Sequence, residues 1–253
     1  MKGTDSLQIM LKSLCLSSFL EHYDHLSHKA EDENWSFEQY LKALVEQEVH
    51  DRSDRRIARL LKRSCLPEGK SLATLDKKVL PVKVQRQLPR LCEGDFVERA
   101  ENVLAFGLPG TGKTHMVTAV GRELVINKGM PVLFCSTRNL VERLLRAKQE
   151  LELEKELKKL DKYPCIILDD IGYVQQSREE MEVLFAFLSE RYERRSLMIT
   201  SNLVFSQWDK IFKDPMTTAA AIDRLVHHSI IMELDNGSFR AREAKNRKGN
   251  RKS

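Results

Sequence analysis

The sequence predicts an α/β fold, a three-layer αβα domain around a five-stranded parallel sheet, preceded by a small all-helical module. Three observations predict it. Residues 107–114 read G-L-P-G-T-G-K-T and fill every fixed position of the pattern G-x-x-x-x-G-K-[ST]. Short apolar runs alternate with helical stretches from residue 102 to 234, an order that calls for right-handed βαβ crossovers. Upstream of them, apolar residues recur at helical spacing from Leu7 to Leu61.

Taken in order, Leu7, Met10, Leu11 and Leu14 predict a short amphipathic helix from Asp5 to about Phe19. Glu21 to His28 spaces three histidines three apart, which a polar helix end explains better than a metal site, since no Cys or further His lies nearby. Ser36-Phe-Glu-Gln39 is a capping-box pattern, and the apolar stripe beyond it continues to about Arg63, as one long helix or two in sequence. Arg52, Arg56, Arg59 and Arg63 recur at steps of four, three and four, so they share a face. With Arg55 beside them, they are candidate contacts to a phosphate backbone. Pro67-Glu-Gly69 ends this helix, and Pro81 and Pro89 keep the following segment from being a single helix.

The expected organisation is a helical module over residues 1–66, a basic connector over 67–101, a nucleotide domain over 102–236 and a basic tail over 237–253. Within the nucleotide domain, strands are predicted at 102–106, 131–135, 163–168, 196–200 and 229–234. Helices are expected after the glycine loop, over 137–160, over 178–193 and from Pro215 to His228.

At 253 residues and 42% hydrophobic composition, the chain can build one sizeable core with a smaller appendage. No apolar run is long enough to span a bilayer and the first residues do not read as a signal segment, so the expectation is a soluble, cytoplasmic protein. Five cysteines at irregular spacing read as reduced core residues rather than a disulfide frame or zinc site. The net charge of +5 is unevenly spread: residues 52–90 hold twelve Lys/Arg against three Asp/Glu, and residues 238–253 hold seven against one. Such clustering suits DNA or RNA, although a solvated basic face and a loose tail account for the same residues.

The loop carries the chemistry. Glycines let successive N–H groups turn toward an anion, and the helix beginning at Lys113 adds the positive end of its dipole. Gly107, Leu108, Pro109, Gly110, Thr111, Gly112, Lys113, Thr114 and His115 therefore form the expected ATP site. Cys165-Ile-Ile-Leu-Asp169-Asp170 begins 52 positions beyond Lys113 and reads as a Walker B strand. Its end would deliver Asp169 to Mg²⁺ and Asp170 to the attacking water. Thr200-Ser-Asn202 ends the next strand; a polar group there suits the γ-phosphate or the water, and a strand-end turn is the ordinary alternative. Arg224 sits between apolar neighbours on the last helix, where spacing alone does not raise it above a solvated arginine.

G-L-P-G-T-G-K-T-H at 107–115, I-I-L-D-D-I-G at 166–172, I-T-S-N-L at 199–203 and A-I-D-R-L at 221–225 resemble, in order and spacing, the DnaC-like AAA+ ATPases. Within that group, the leader around Phe37-Glu-Gln-Tyr-Leu and the Arg-rich helix look like IstB, the family of ATP-dependent helpers encoded beside a transposase in insertion sequences. The resemblance implies an AAA+ core in which Lys113 contacts the β and γ phosphates and Thr114 coordinates Mg²⁺. It gives Asp169 and Asp170 the Walker B roles, Asn202 the sensor 1 role and Arg224 the role of arginine finger. A finger acts on a neighbour's ATP, so a homo-oligomer follows. The implied partners are double-stranded DNA held with little sequence preference and an IstA-like transposase, with no membrane. The charged stretch 138–162 lies where initiator-type members carry an extra helix, and its eight Lys/Arg and six Asp/Glu equally suit a solvated surface or subunit interface.

Two departures from the family pattern carry expectations. Asp170 is one methylene shorter than the usual Glu, which predicts slow turnover. Only 19 residues follow Leu234, which predicts no C-terminal lid bundle and leaves sensor 2 unassigned. The competing readings are a replicative helicase loader of the same class and a small-molecule P-loop kinase.

Overall fold

Side chains alternate across a strand, so five short strands decide which residues meet which helices. In the computed structural model, residues 3–172, 177–203, 207–208 and 215–235 are described. The strands are β1 (Asn102–Gly107), β2 (Val132–Ser136), β3 (Cys165–Asp169), β4 (Ser196–Ser201) and β5 (Ser229–Leu234). They form a parallel sheet in the order β2-β3-β4-β1-β5. The expected basic tail, and with it the question of a C-terminal lid, lies outside the described residues.

One face of the sheet presents Val103, Ala105, Val132, Cys165, Ile167 and Met198 to a single apolar cluster. That cluster is completed by α4 (Val82–Glu93), α5 (Asp95–Glu98) and α6 (Lys113–Lys128). The other face presents Leu104, Phe106, Leu133, Ile166, Leu168, Leu197 and Ile199. Over it pack α7 (Thr137–Gln149), α8 (Leu153–Leu160), α9 (Arg178–Arg191) and α10 (Pro215–Val226). Burial on both faces explains why the strands read as continuous apolar runs. The three-layer αβα fold is thus the one that the alternation predicts.

The Cα packing divides the chain into two compact units, Met1–Arg59 and Leu60–Ser253. The first holds α1 (Gly3–Ser13), α2 (Ser17–Asp32) and most of α3 (Phe37–Ser64). The Ser36–Gln39 capping box is formed: Ser36 N–H donates to Gln39 Oε1 at 2.7 Å, and Gln39 N–H donates to Ser36 Oγ at 3.2 Å. The long apolar stripe is one helix. Glu48 organises the unit, since its Oε2 accepts the backbone N–H groups of Ser18 at 2.8 Å and Phe19 at 3.4 Å, the otherwise unpaired donors at the start of α2.

Several local expectations are corrected. The helix expected from Asp5 to Phe19 is two, because Cys15 takes a left-handed turn (φ 55°) and Leu16 N–H closes back on the Leu11 carbonyl at 2.9 Å. The histidines at 22, 25 and 28 lie in the body of α2, not at a helix end. Residues 137–160 form two helices, broken at Leu151 (φ 59°). Pro89 sits inside α4 rather than ending it: proline forfeits one N–H···O bond, and Val84, Leu88 and Leu91 on the buried face hold the helix regardless. All five cysteines are free, but only Cys165 is fully buried, and Cys15 and Cys65 are exposed.

The basic segment 67–101 packs into the second unit. Leu75, Leu80, Val84, Leu88, Leu91 and Phe96 join the cluster that buries α6, so these residues have a structural task that their charge conceals. Arg191, 2% exposed, sits at the far end of the sheet and donates to the carbonyls of Leu160, Tyr163, Pro164 and Ser196 at 2.9–3.3 Å. Burial lowers its pKa to about 10, against the pull of neighbouring acidic groups.

Candidate functional site

The site lies at the carboxyl ends of β1, β3 and β4, where side chains leave the sheet and a crossover opens a crevice. β1 ends at Gly107, whose φ of +152° and surroundings leave no room for a side chain: an added Cβ would meet the Leu234 carbonyl oxygen at 2.3 Å. Gly112, at φ 96°, turns the chain into α6. Between them, Thr111 is buried and Leu108 is exposed, and Lys113 just after Gly112 is buried as well.

Lys113 Nζ donates to the carbonyls of Gly107 at 2.7 Å and Leu108 at 2.9 Å, so its ammonium lies across the mouth of the loop. Thr114, one residue on, donates its hydroxyl to Asp169 Oδ1 at 2.8 Å, across 55 residues of chain. The second oxygen donor on that carboxylate atom is Thr200 Oγ1 at 2.7 Å. Thr200 Oγ1 in turn accepts the backbone N–H of Asp170 at 2.8 Å. Thr137 Oγ1 donates to the Asp169 carbonyl at 3.1 Å and completes the support.

Asp170 adopts a left-handed conformation, φ 64°, which aspartate tolerates better than most residues. Burial raises its pKa, Asp169 beside it adds to the rise, and Lys113 opposes it. A carboxylate whose proton affinity is raised by burial and a neighbouring acid is suited to taking up a proton. Asn202 follows β4, and its Oδ1 is buried without a hydrogen-bond partner among the described residues. Gly172 makes space for it, since a Cβ there would stand 2.5 Å from that oxygen.

A cavity of about 240 Å³ opens beside the loop, lined by Gly110 to His115 on one side and by Lys70, Thr74, Leu75, Asp76, Val79 and Leu80 on the other. The structure therefore unites Gly107 to His115 with Asp169, Asp170 and Asn202. Arg224 is positioned elsewhere: its Nη1 donates to Ser189 Oγ at 3.1 Å and its guanidinium lies 4.6 Å from the Phe185 ring centre, both on α9.

In the first unit, two of the candidate arginines serve Glu48. Arg52 Nε donates to Glu48 Oε1 at 2.6 Å and Arg52 Nη2 to the Cys15 carbonyl at 2.8 Å. Arg55 donates to Ser17 Oγ and to the Asp51 carbonyl at 3.1 Å, with Glu48 Oε1 at 3.5 Å. Burial pushes the Glu48 carboxyl up, and the bonds from Arg52, Ser18 and Phe19 outweigh it, leaving a net lowered pKa. Arg59 Nε donates to the Arg55 carbonyl at 3.2 Å, and Arg56 and Arg63 are exposed.

The residues fit Mg²⁺ and a nucleotide. The Thr114 hydroxyl and the Asp169 carboxylate are the hard oxygen donors that Mg²⁺ takes, already adjacent. Gly107 has no room for a side chain because a Cβ there would strike the Leu234 carbonyl, which holds the start of the loop against β5, and the Asn202 Oδ1, buried with no hydrogen-bond partner among the described residues, adds a polar acceptor. Sequence reasoning placed Thr200 in a polar strand end but missed its bonds to Asp169 and Asp170, and it missed Thr137 and the 70–80 wall. A threonine at a strand end was visible, but its partner depends on the parallel register that pairs Leu168 with Ile199.

Comparison with known proteins gives a consistent picture. The family model described as "IstB-like ATP binding protein" matches residues 9–247. The chain is 41% identical over 246 residues to an insertion-sequence ATP-binding protein of Sinorhizobium fredii, covering 97% of this chain and 82% of the relative. It is 36% identical over 240 residues to the ATP-binding protein described for insertion sequence IS21 in Pseudomonas aeruginosa, covering 94% and 89%. Among solved structures, the DnaC helicase loader has a TM-score of 0.58 at 21% identity over 66% of this chain and 97% of that one. AMPPCP-bound DnaA from Aquifex aeolicus has 0.53 at 16% identity over 68% and 51%. At those identities the structural likeness speaks for the fold alone.

Proposed function

The chain belongs to the IstB-like ATP binding protein family, and on that premise we propose that it is an ATP-controlled helper of DNA transposition. It binds Mg·ATP, assembles with copies of itself on duplex DNA and engages a transposase, and hydrolysis resets the assembly. The observation that carries the ATP half is the Thr114–Asp169 contact at 2.8 Å beneath the Lys113 loop.

In this reading the amides of Gly110 to Thr114 and the Lys113 ammonium hold the phosphates. Lys113 exchanges its bonds to the loop carbonyls for phosphate oxygens. Thr114 and Asp169 would hold Mg²⁺, which when bound neutralises charge on the phosphates. Thr200 fixes the Asp169 carboxylate and the Asp170 backbone together. Asp170 takes a proton from the attacking water at its carboxylate oxygen, aided by its raised affinity for protons. Asn202 orients the same water or the γ-phosphate. Arg224, presented by the α9–α10 pair, serves the ATP of a neighbouring subunit, which makes turnover depend on assembly.

DNA contact follows from charge. The twelve Lys/Arg of residues 52–90 supply phosphate contacts, with Arg56, Arg59 and Arg63 the foremost candidates and Arg52 and Arg55 shared with Glu48. Contacts of that kind give little sequence preference and a steep salt dependence.

The test is duplex binding by the full chain with a slowly hydrolysed ATP analogue, titrated against salt, alongside Lys113→Ala. Nucleotide-dependent, salt-sensitive assembly that Lys113→Ala abolishes supports the proposal. Site-specific, salt-insensitive binding sinks it, and capture of a hexameric helicase in preference to the transposase would reassign the chain as a helicase loader.

A further inference from the structure

His115 comes directly after Thr114, yet its ring nitrogen is bonded to the segment before the sheet. Nε2 lies 3.1 Å from Thr74 Oγ1 and 3.2 Å from the Ser71 carbonyl. A carbonyl only accepts, so Nε2 carries the proton. Thr74 is equally constrained: its one hydroxyl proton faces the Gly69 carbonyl at 2.7 Å, while its oxygen accepts Ser71 N–H at 3.0 Å. Two helical turns along the same face of α6, Arg122 donates to the carbonyls of Lys70 at 3.4 Å and Pro67 at 3.3 Å. Two side chains of the phosphate-loop helix therefore grip residues 67–74. The next residues, Leu75, Val79 and Leu80, are the apolar wall of the cavity beside the loop.

We infer that His115 is a positioning residue for the nucleoside half of the nucleotide, acting through Ser71 and Thr74 rather than on the phosphates. It keeps the 69–76 strap ordered before a ligand arrives, so that binding does not have to supply the ordering entropy. The inference rests on the ATP reading above, and it divides the site by chemistry. Phosphates are held by the loop itself, whereas base and sugar are held by a wall that needs His115.

The experiment compares the full-length protein with His115→Ala and His115→Gln, using Mg·ATP and Mg·tripolyphosphate as ligands. His115→Ala should weaken ATP binding about tenfold, the effect of one lost hydrogen-bonding anchor, and leave tripolyphosphate within about twofold. The KM for ATP should rise by a larger factor than kcat falls, and His115→Gln, which retains an N–H donor, should recover most of the affinity. Amide exchange at Ser71 and Thr74 in the nucleotide-free protein should accelerate in His115→Ala. Equal loss of both ligands, or unchanged ATP affinity, overturns the assignment. If the unmodified protein binds neither ligand, the ATP reading has failed, and unaltered exchange at Ser71 and Thr74 would then overturn the fastening independently.

Discussion

At the scale of single residues, one hydroxyl decides how two carboxylates are used. Thr200 Oγ1 donates to Asp169 and accepts from the Asp170 backbone, so it fixes both acids from the neighbouring strand. Thr200→Val keeps the shape and removes the hydroxyl. ATP turnover and Mg²⁺ affinity should fall roughly 10–100-fold, as for other groups that orient a ligand from behind, which a Mg²⁺ titration of activity checks. Asp170 offers a second test. Its pKa is raised by burial and by Asp169, so its favourable contribution to stability is present below the unfolded carboxylate pKa and lost as pH rises through the folded value. At pH 7 the ionised group is a cost. Asp170→Asn should therefore raise the Tm of the nucleotide-free protein by about 1–2 °C at pH 7, with the gain fading as pH falls into the carboxylate range, while hydrolysis declines. Calorimetry across pH reads the first effect directly. The loop residues and Asp169 were legible in the sequence because their spacing is local and chemically constrained. Thr200 was not, because its role exists only once β3 and β4 are side by side.

Secondary elements were legible where a local signal marks their ends. Ser36 and Gln39 announce α3, and the reciprocal bonds are formed. The breaks at Cys15 and Leu151 carried no Gly or Pro, since a non-glycine residue took the left-handed turn, and so one expected helix became two in each case. Holding such elements together falls to buried polar groups. Glu48 fastens α2 to α3, and its lowered pKa makes its contribution present above the unfolded value and lost as pH falls through the folded one. Glu48→Ala should destabilise the first unit by about 1–3 kcal/mol at pH 7, with the difference from the unmodified protein shrinking toward pH 3. Exchange rates of the Ser18 and Phe19 amides give the readout. Arg191 plays the corresponding part in the second unit, joining the end of α8 to the starts of β3 and β4. Arg191→Met keeps the stem but abandons those carbonyls, and the midpoint of urea unfolding should fall by an amount equivalent to roughly 3 kcal/mol.

For the whole molecule, the distribution of charge matters more than its sum. The excess of Lys/Arg over residues 52–90 gives a salt-dependent affinity for duplex DNA in the proposed function, whereas Arg52 and Arg55 are partly committed to Glu48. Arg59→Ala with Arg63→Ala should weaken duplex binding uniformly across sequences and reduce the slope of log K against log salt by about 2. Arg52→Ala with Arg55→Ala should instead register first as lost stability of the first unit, seen by thermal unfolding. Equal effects of the two pairs on the salt slope would remove this distinction. The sequence by itself determined the order of strands and helices, the phosphate loop and the acid pair, because residue period and motif spacing are properties of neighbouring residues. Only the tertiary structure decided the strand order, the Thr200 bridge across 31 residues of chain and the closure of the 67–80 segment against His115 across 41. Those contacts join residues that are distant along the chain, and their energy is realised only when the sheet and α6 have brought them within hydrogen-bonding reach.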